Sequence, residues 1–438
     1  MKRFFLGILV LSSFSGGLWA QGYSLRQCVE FATSNNGNIK NATTDIQIAQ
    51  KKIDEQIGSM LPQVDLTTSY TDNIVLPTMI FGTQVITPGK QHNLSGSIQL
   101  TQKLFDPTFD VALKAVTVSK DLAVQTKRKS SEQTAYGVSG AYYQTLVIGL
   151  QIKTLKTTLE TSTKSLQAIE LKYHNGMARK VDVDKMRVSY NNIKSQVQQG
   201  ELSYQQSLNN LKFQMGMPVE TALTLSNNDL EADFNLFEMP ADNFQVENRV
   251  DYQLQKINIK GYELDKKRYQ DSYLPTLSLN ANYGNNAMRD NFDFGRVNAP
   301  WFTSSSIGVT LKVPIFDGLQ KDARIKQAQM SLQKGKTSMQ MVEQSIKVDL
   351  SNYEIQYRNA IDNIKNEREN LNLAESVYKN FQNQFSQGIC STLDLVQAQS
   401  SYSESQNIYY NKLLNLYIAR INLEQTRGTL LNYIGNQK

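Results

Sequence analysis

The feature that most narrows the folds open to this chain is that it is written twice. SMLPQVDLTTSY at 59–70 aligns with SYLPTLSLNANY at 272–283, and QKLFDP at 102–107 aligns with KVPIFDG at 312–318. YHNGMARKVD at 173–182 then aligns with FSQGICSTLD at 385–394. Pro62 and Pro275 stand 213 positions apart, Phe105 and Phe316 211, and Gly176 and Gly388 212. Features kept in one order at one offset mark a supersecondary unit used twice, and such a repeat takes precedence over dividing 438 residues into ordinary domains.

After each glycine an apolar residue returns every seven positions. The first series is Val183, Tyr190, Val197, Tyr204 and Leu211; the second is Leu395, Tyr402, Tyr409, Leu416 and Leu423. A strict seven-residue spacing keeps one helical stripe facing a partner along a left-handed seam, which predicts coiled-coil packing. The runs before each glycine, about 111–172 and 320–384, contain no proline. At 1.5 Å per residue each would reach roughly 90 to 100 Å, about twice the helix before Pro62 or the helix after Gly176. Two half-length helices laid end to end therefore match one long helix. The predicted motif is a long antiparallel hairpin with a glycine reversal at one end.

The other end of each hairpin has a different period. Val64, Leu66, Thr68 and Tyr70 alternate with Gln63, Asp65, Thr67 and Ser69, as a strand with one apolar face requires. Leu94, Gly96, Ile98 and Leu100 repeat the pattern, as do Leu277, Leu279, Ala281 and Tyr283, then Ile307, Val309, Leu311, Val313 and Ile315. Four strands per chain are predicted, joined by surface loops at about 73–92 and 284–304, the second carrying an exposed Trp301. Residues 217–247 hold seven acidic side chains and no Lys or Arg, and are predicted to form an irregular collar between the halves.

The first residues, MKRFFLGILVLSSFSGGLWAQ, place a basic start before a short apolar run and a small residue at Ala20, the pattern of a secretory signal peptide covering 1–20. The run is too short for a membrane-spanning helix. The expected organisation is thus a first repeat at 21–216, an acidic linker at 217–247, a second repeat at 248–430 and a tail at 431–438. Loss of Lys2 and Arg3 lowers the formal charge from +6 to +4, too mild for a nucleic-acid partner. Cys28 and Cys390 are too few for a disulfide framework, and His92 and His174 are isolated from other ligands, so no metal, cofactor or catalytic constellation is expected. The chain does not read as an enzyme.

Four strands with an apolar face cannot close on themselves, and an open edge in lipid leaves backbone groups without partners. Copies must combine, giving eight strands for a dimer or twelve for a trimer, and the larger barrel leaves a water-filled bore. A periplasmic coiled-coil spacer without a pore is the alternative; it accounts for the heptads but not for the strands.

At this point the chain resembles the TolC-type outer membrane efflux proteins. The resemblance rests on the signal peptide, the L-P helix ends, the strand pairs, the L-F-D exit, the [YF]-x-x-G turns followed by [LV]-D-[LV], and their double occurrence. NRVDY at 248–252, matched with Asn36 in the first half, resembles the opening of the second repeat. It implies an α+β membrane channel: a homotrimer with a twelve-stranded transmembrane β-barrel in outer membrane lipid, and helical hairpins forming an α-helical barrel in the periplasm. It implies docking to a periplasmic adaptor and an inner-membrane transporter for efflux or type I secretion. Asp182 and Asp394 match the family's aperture carboxylates, with Gln397 standing where a further one is found. Asp394 also fits a capping box with Ser391, and Asp182, with Arg179 in place of a Ser or Thr three residues before it, still suits the helix dipole, so gating and capping remain open for both. Gly176, Met177, Gly388 and Ile389 match the tip that meets the adaptor; apolar side chains on a solvent-facing turn suit a contact surface.

Overall fold

A computed structural model describes residues 22–226, 238–239, 244–296 and 298–436. The expected signal peptide, and residues 227–237 and 240–243 of the acidic linker, lie outside the described residues. In chain order the elements are α1 (Leu25–Asn35), α2 (Gly37–Gly58), β1 (Gln63–Asp72), β2 (Met79–Phe81), β3 (Gln84–Ile86), β4 (His92–Phe105), α3 (Pro107–His174) and α4 (Lys180–Met215). A 3₁₀ turn at Val246–Asn248 precedes α5 (Val250–Asp271), β5 (Thr276–Arg289), β6 (Phe302–Lys312), α6 (Gln320–Gln387), α7 (Thr392–Arg427) and α8 (Leu430–Gly435). α3 and α6 are both 68 residues long, and α4 and α7 both 36.

The chain forms two compact units, and each draws on both halves of the sequence. Of the described residues, one comprises those within 22–40, 130–245 and 346–436; the other comprises those within 41–129 and 246–345.

The first unit is helical, and its core shows what the seven-residue spacing does. Leu211, Leu416 and Leu423 are fully buried, with Val183, Val197, Leu395 and Tyr409 nearly so. Tyr143 stacks on Tyr417 at 4.2 Å between ring centres, a pair that binds α3 to α7. The break between α1 and α2 falls at Asn36, whose backbone is extended. Its side-chain oxygen accepts from the amide of Asn38 at the start of α2, and its side-chain nitrogen donates to the carbonyl of Gln214 at the end of α4. One residue thus caps one helix and ties off another. Arg420 on α7 is a second tie. It bonds Glu424 at 2.7 Å, donates to the backbone oxygen of Glu238, and lies over the rings of Tyr357 and Tyr433. α8 returns at the C-terminal end with Leu430 and Ile434 buried.

The second unit contains an antiparallel sheet in the order β1-β4-β5-β6. Leu66 faces Ile98, Ile98 faces Tyr283, and Ala281 faces Ile307, so the apolar alternation of every strand falls on one face. That face is open: Leu66, Ile98, Tyr283, Ile307 and Val309 are all exposed. The opposite face carries Thr67, Ser97, Asn282, Ser306 and their polar neighbours. β1 and β6 are the two sheet edges.

Two expectations need correction. β6 stops at Lys312 rather than running to Ile315, because Pro314 has no amide to donate to a ladder; Val313 and Ile315 lie beyond the strand. The connecting loops differ too: β5 runs on to Arg289 and β6 starts at Phe302, which shortens the second loop to 290–301, and the first contains a hairpin. Met79–Phe81 pairs with Gln84–Ile86 around Gly82, which adopts a left-handed φ of 65°.

Candidate functional site

The two reversals end α3 and α6 in the same way. Gly176 has φ of 73° and donates to the carbonyl of Tyr173, while Met177 donates back to Lys172. Gly388 has φ of 78° and donates to Phe385, while Ile389 donates to Gln384. This pair of bonds satisfies the last carbonyls of each helix, and only glycine adopts the required conformation without strain. Gly216 and Gly428 end α4 and α7 with the same bonds. Met177 and Ile389 each keep 71% of their surface exposed, so both turns present an apolar side chain to solvent.

Both reversals belong to the first unit and share one small core. Val183 and Leu395, each following an aspartate, bury against Ile169, Met186, Tyr378 and Phe385. Lys172 reaches from the first reversal to donate to the Phe385 carbonyl beside the second. Its ammonium also sits 5.2 Å from the centre of the Phe385 ring. Cys390 turns inward, with its Sγ 3.3 Å from the Phe381 carbonyl. The two glycine turns are therefore brought together and fixed to each other.

The aspartates that follow differ in their surroundings. Asp394 completes a capping box: its carboxylate accepts from the hydroxyl and amide of Ser391, and its own amide donates to the Ser391 hydroxyl. Its side chain remains exposed, so its charge is oriented rather than neutralised. Asp182 has no such box. Arg179 stands at the N-cap and grips it from the side with two hydrogen bonds of 2.9 and 3.2 Å. The Arg179 hydrogen bond holds the Asp182 carboxyl below the usual carboxylate range. At the first reversal the negative charge is met within three residues; at the second it faces solvent.

A further feature was not read from the sequence. α4 and α7 flank an open groove of about 680 Å³, lined by Val181, Val188, Leu393 and Ile408 among polar side chains that include Asp184, Lys185 and Glu404. Its signal was present: Val181 and Val188 form a second seven-residue series, two positions before Val183 and Tyr190. Among the described residues no group of acidic, His or Cys side chains could hold a metal, and no helix is long and apolar enough to cross a membrane.

The chain is similar over most of its length to known proteins of one kind. It is 21% identical to Outer membrane protein TolC of Escherichia coli over 98% of this chain and 87% of that one. It is 20% identical to the Vibrio cholerae protein of the same name over 96% and 93%. The solved structure of the Campylobacter jejuni CmeC outer membrane channel superposes with a TM-score of 0.72 at 13% identity, over 92% of this chain and 85% of that one. The model of the family described as outer membrane efflux protein matches residues 29–217 and 255–429, one stretch in each half. With both halves matched, the chain belongs to the outer membrane efflux protein family.

Proposed function

We propose that three copies of this outer membrane efflux channel form one exit duct, each giving four strands to a twelve-stranded barrel. The observation that carries this reading is the sheet of the second unit. It exposes Leu66, Ile98, Ile307 and Val309 on one face, a continuous polar set on the other, and an unpaired edge at both β1 and β6. In lipid, such a sheet satisfies its edge amides and carbonyls only by pairing β1 of one copy with β6 of the next. The strands alternate in direction throughout, so that join is antiparallel like the others. Twelve strands leave a bore lined by Ser, Thr, Asn and Gln, and transport through it is passive. The helical hairpins extend the duct into the periplasm, where the glycine reversals form its entrance.

In this duct Asp394 and Asp182 ring the aperture, where carboxylates converging from several copies attract cations. The exposed apolar pair Met177 and Ile389, with Gly176 and Gly388, forms the contact for a periplasmic adaptor that joins the duct to an inner-membrane transporter. No cofactor or enzymatic step is assigned, and selection of cargo falls to the transporter. Oligomer mobility on unheated gels together with conductance in planar bilayers tests the channel; a monomer without conductance refutes it. The Asp182→Ala, Asp394→Ala double variant is expected to alter conductance or cation block in correctly assembled protein. Charged replacements at Met177 and Ile389 are expected to abolish export while leaving oligomer and insertion intact.

A further inference from the structure

The β2–β3 hairpin departs from what a water-exposed loop should be. From Ile74 to Gly89 it carries no charged residue, and Ile74, Val75, Ile80, Phe81 and Val85 are each between 69% and 91% exposed. A two-stranded ribbon with three residues per strand and apolar side chains open on both faces is not stable alone in water. Its base is nevertheless fixed. The backbone amide of Asn73 donates to the Gln91 carbonyl, its side chain donates to the Lys90 carbonyl, and Lys90 pairs with Asp290 at 2.6 Å. The hairpin therefore projects from a rigid foot, and its own chain leaves it uncovered.

The sheet indicates what covers it. The hairpin leaves the end of β1, at Asp72, and Asp72 faces His92, which in turn faces Arg289 at the end of β5. β6 begins at Phe302, opposite Asn286, so the end of β1 and the start of β6 lie at the same end of the sheet on its two open edges. Trp301 just before β6 and Phe302 at its first position are exposed by 44% and 58%, in a run from Asn298 to Ser306 that also lacks charge. Inside one chain these two features are separated by the width of four strands, about 14 Å. Across a β1–β6 join they become neighbours. An anionic lipid surface would instead favour Lys and Arg, and the hairpin has none.

We infer that the β2–β3 hairpin of each copy packs on Trp301 and Phe302 of the adjacent copy, forming an apolar collar that locks the join beyond the membrane. The inference rests on the barrel proposed above, and its consequence is that assembly is secured by side chains as well as by strand edges. The test uses full-length protein carrying Cys390→Ser, since Cys28 is buried, with Phe81→Cys and Trp301→Cys added together. Membranes are treated with a short bifunctional maleimide and run on gels with and without heating. The expected result is a ladder of two and three chain masses in heated samples, absent from either single variant. An unheated oligomer with no ladder after heating overturns the collar and leaves the barrel standing. A ladder from Phe81→Cys alone overturns it too, because the hairpins then meet each other. Absence of any oligomer overturns the barrel and the collar together. As a second measurement, Ile80→Asp with Phe81→Asp is expected to lower the temperature at which the oligomer falls apart; an unchanged temperature counts against the collar.

Discussion

Three glycines with the same local geometry are expected to respond very differently to one methyl group. Gly176, Gly216 and Gly388 have φ of 73°, 71° and 78° and make the same helix-ending hydrogen bonds. Alanine in this conformation costs about 1–2 kcal/mol in backbone strain at each position. At Gly176 and Gly388 a new Cβ meets nothing within 4 Å, so strain is the entire cost. At Gly216 the Cβ would sit 2.7 Å from the Asn35 carbonyl oxygen and 2.9 Å from Asn36 Cα. These are backbone atoms at the α1–α2 break, already held by the Asn36 to Gln214 bond, and they cannot rotate away. Overpacking of this kind adds about 1–3 kcal/mol, giving about 2–5 kcal/mol in total for Gly216→Ala. Hydrogen exchange read by mass spectrometry reports local opening without assuming that the whole protein unfolds in one step. Peptides around each turn should exchange about 5- to 30-fold faster in Gly176→Ala and Gly388→Ala. Those around Lys212–Met217 should accelerate about 30-fold or more in Gly216→Ala. Equal acceleration at all three turns would refute the distinction between an open reversal and one wedged against a neighbouring backbone.

Other outcomes follow from the same reasoning. Arg420→Leu strands the buried Glu424 and is expected to cost about 3–5 kcal/mol, with much of the loss regained in Arg420→Leu, Glu424→Leu; a double variant no more stable than the single would count against a buried pair. The Arg179–Asp182 pair lowers a carboxyl pKa, so its stabilisation is present at neutral pH and disappears as pH falls through the lowered value. The stability gap between wild type and Arg179→Ala should therefore close below about pH 4, and a gap that widens in acid would contradict the assignment. Burial pushes the Cys28 thiol up to about 12, so at pH 8 only ~1 in 10,000 is thiolate, and thiol reagents should modify Cys28 only after unfolding. Modification of Cys28 in the folded protein would show that the core around α1 opens readily.

Much of the fold was legible because its signals are local. A left-handed glycine ending a proline-free run marks a helix terminus wherever it lies, which is why Gly176 and Gly388 located the reversals to within a residue or two. The capping box at Ser391 and Asp394 was legible for the same reason, since all its atoms lie within four residues. The period of two in Val64–Tyr70 and in Leu277–Tyr283 named both the strands and their apolar face. The β2–β3 hairpin was missed because its apolar run lacks alternation, and the end of β6 was overrun because periodicity was carried through Pro314.

The sequence alone located the helix reversals at Gly176 and Gly388 and the strands with one apolar face, because period and backbone conformation are set by residues close in the chain. Only the tertiary structure decided that each compact unit takes elements from both halves of the chain, and that Lys172 at the first reversal reaches the Phe385 carbonyl beside the second. It alone placed Gly216 against the backbone of Asn35, and it left an apolar hairpin open at the sheet edge. Those outcomes depend on which distant atoms share a few ångströms, and a local pattern carries no record of that.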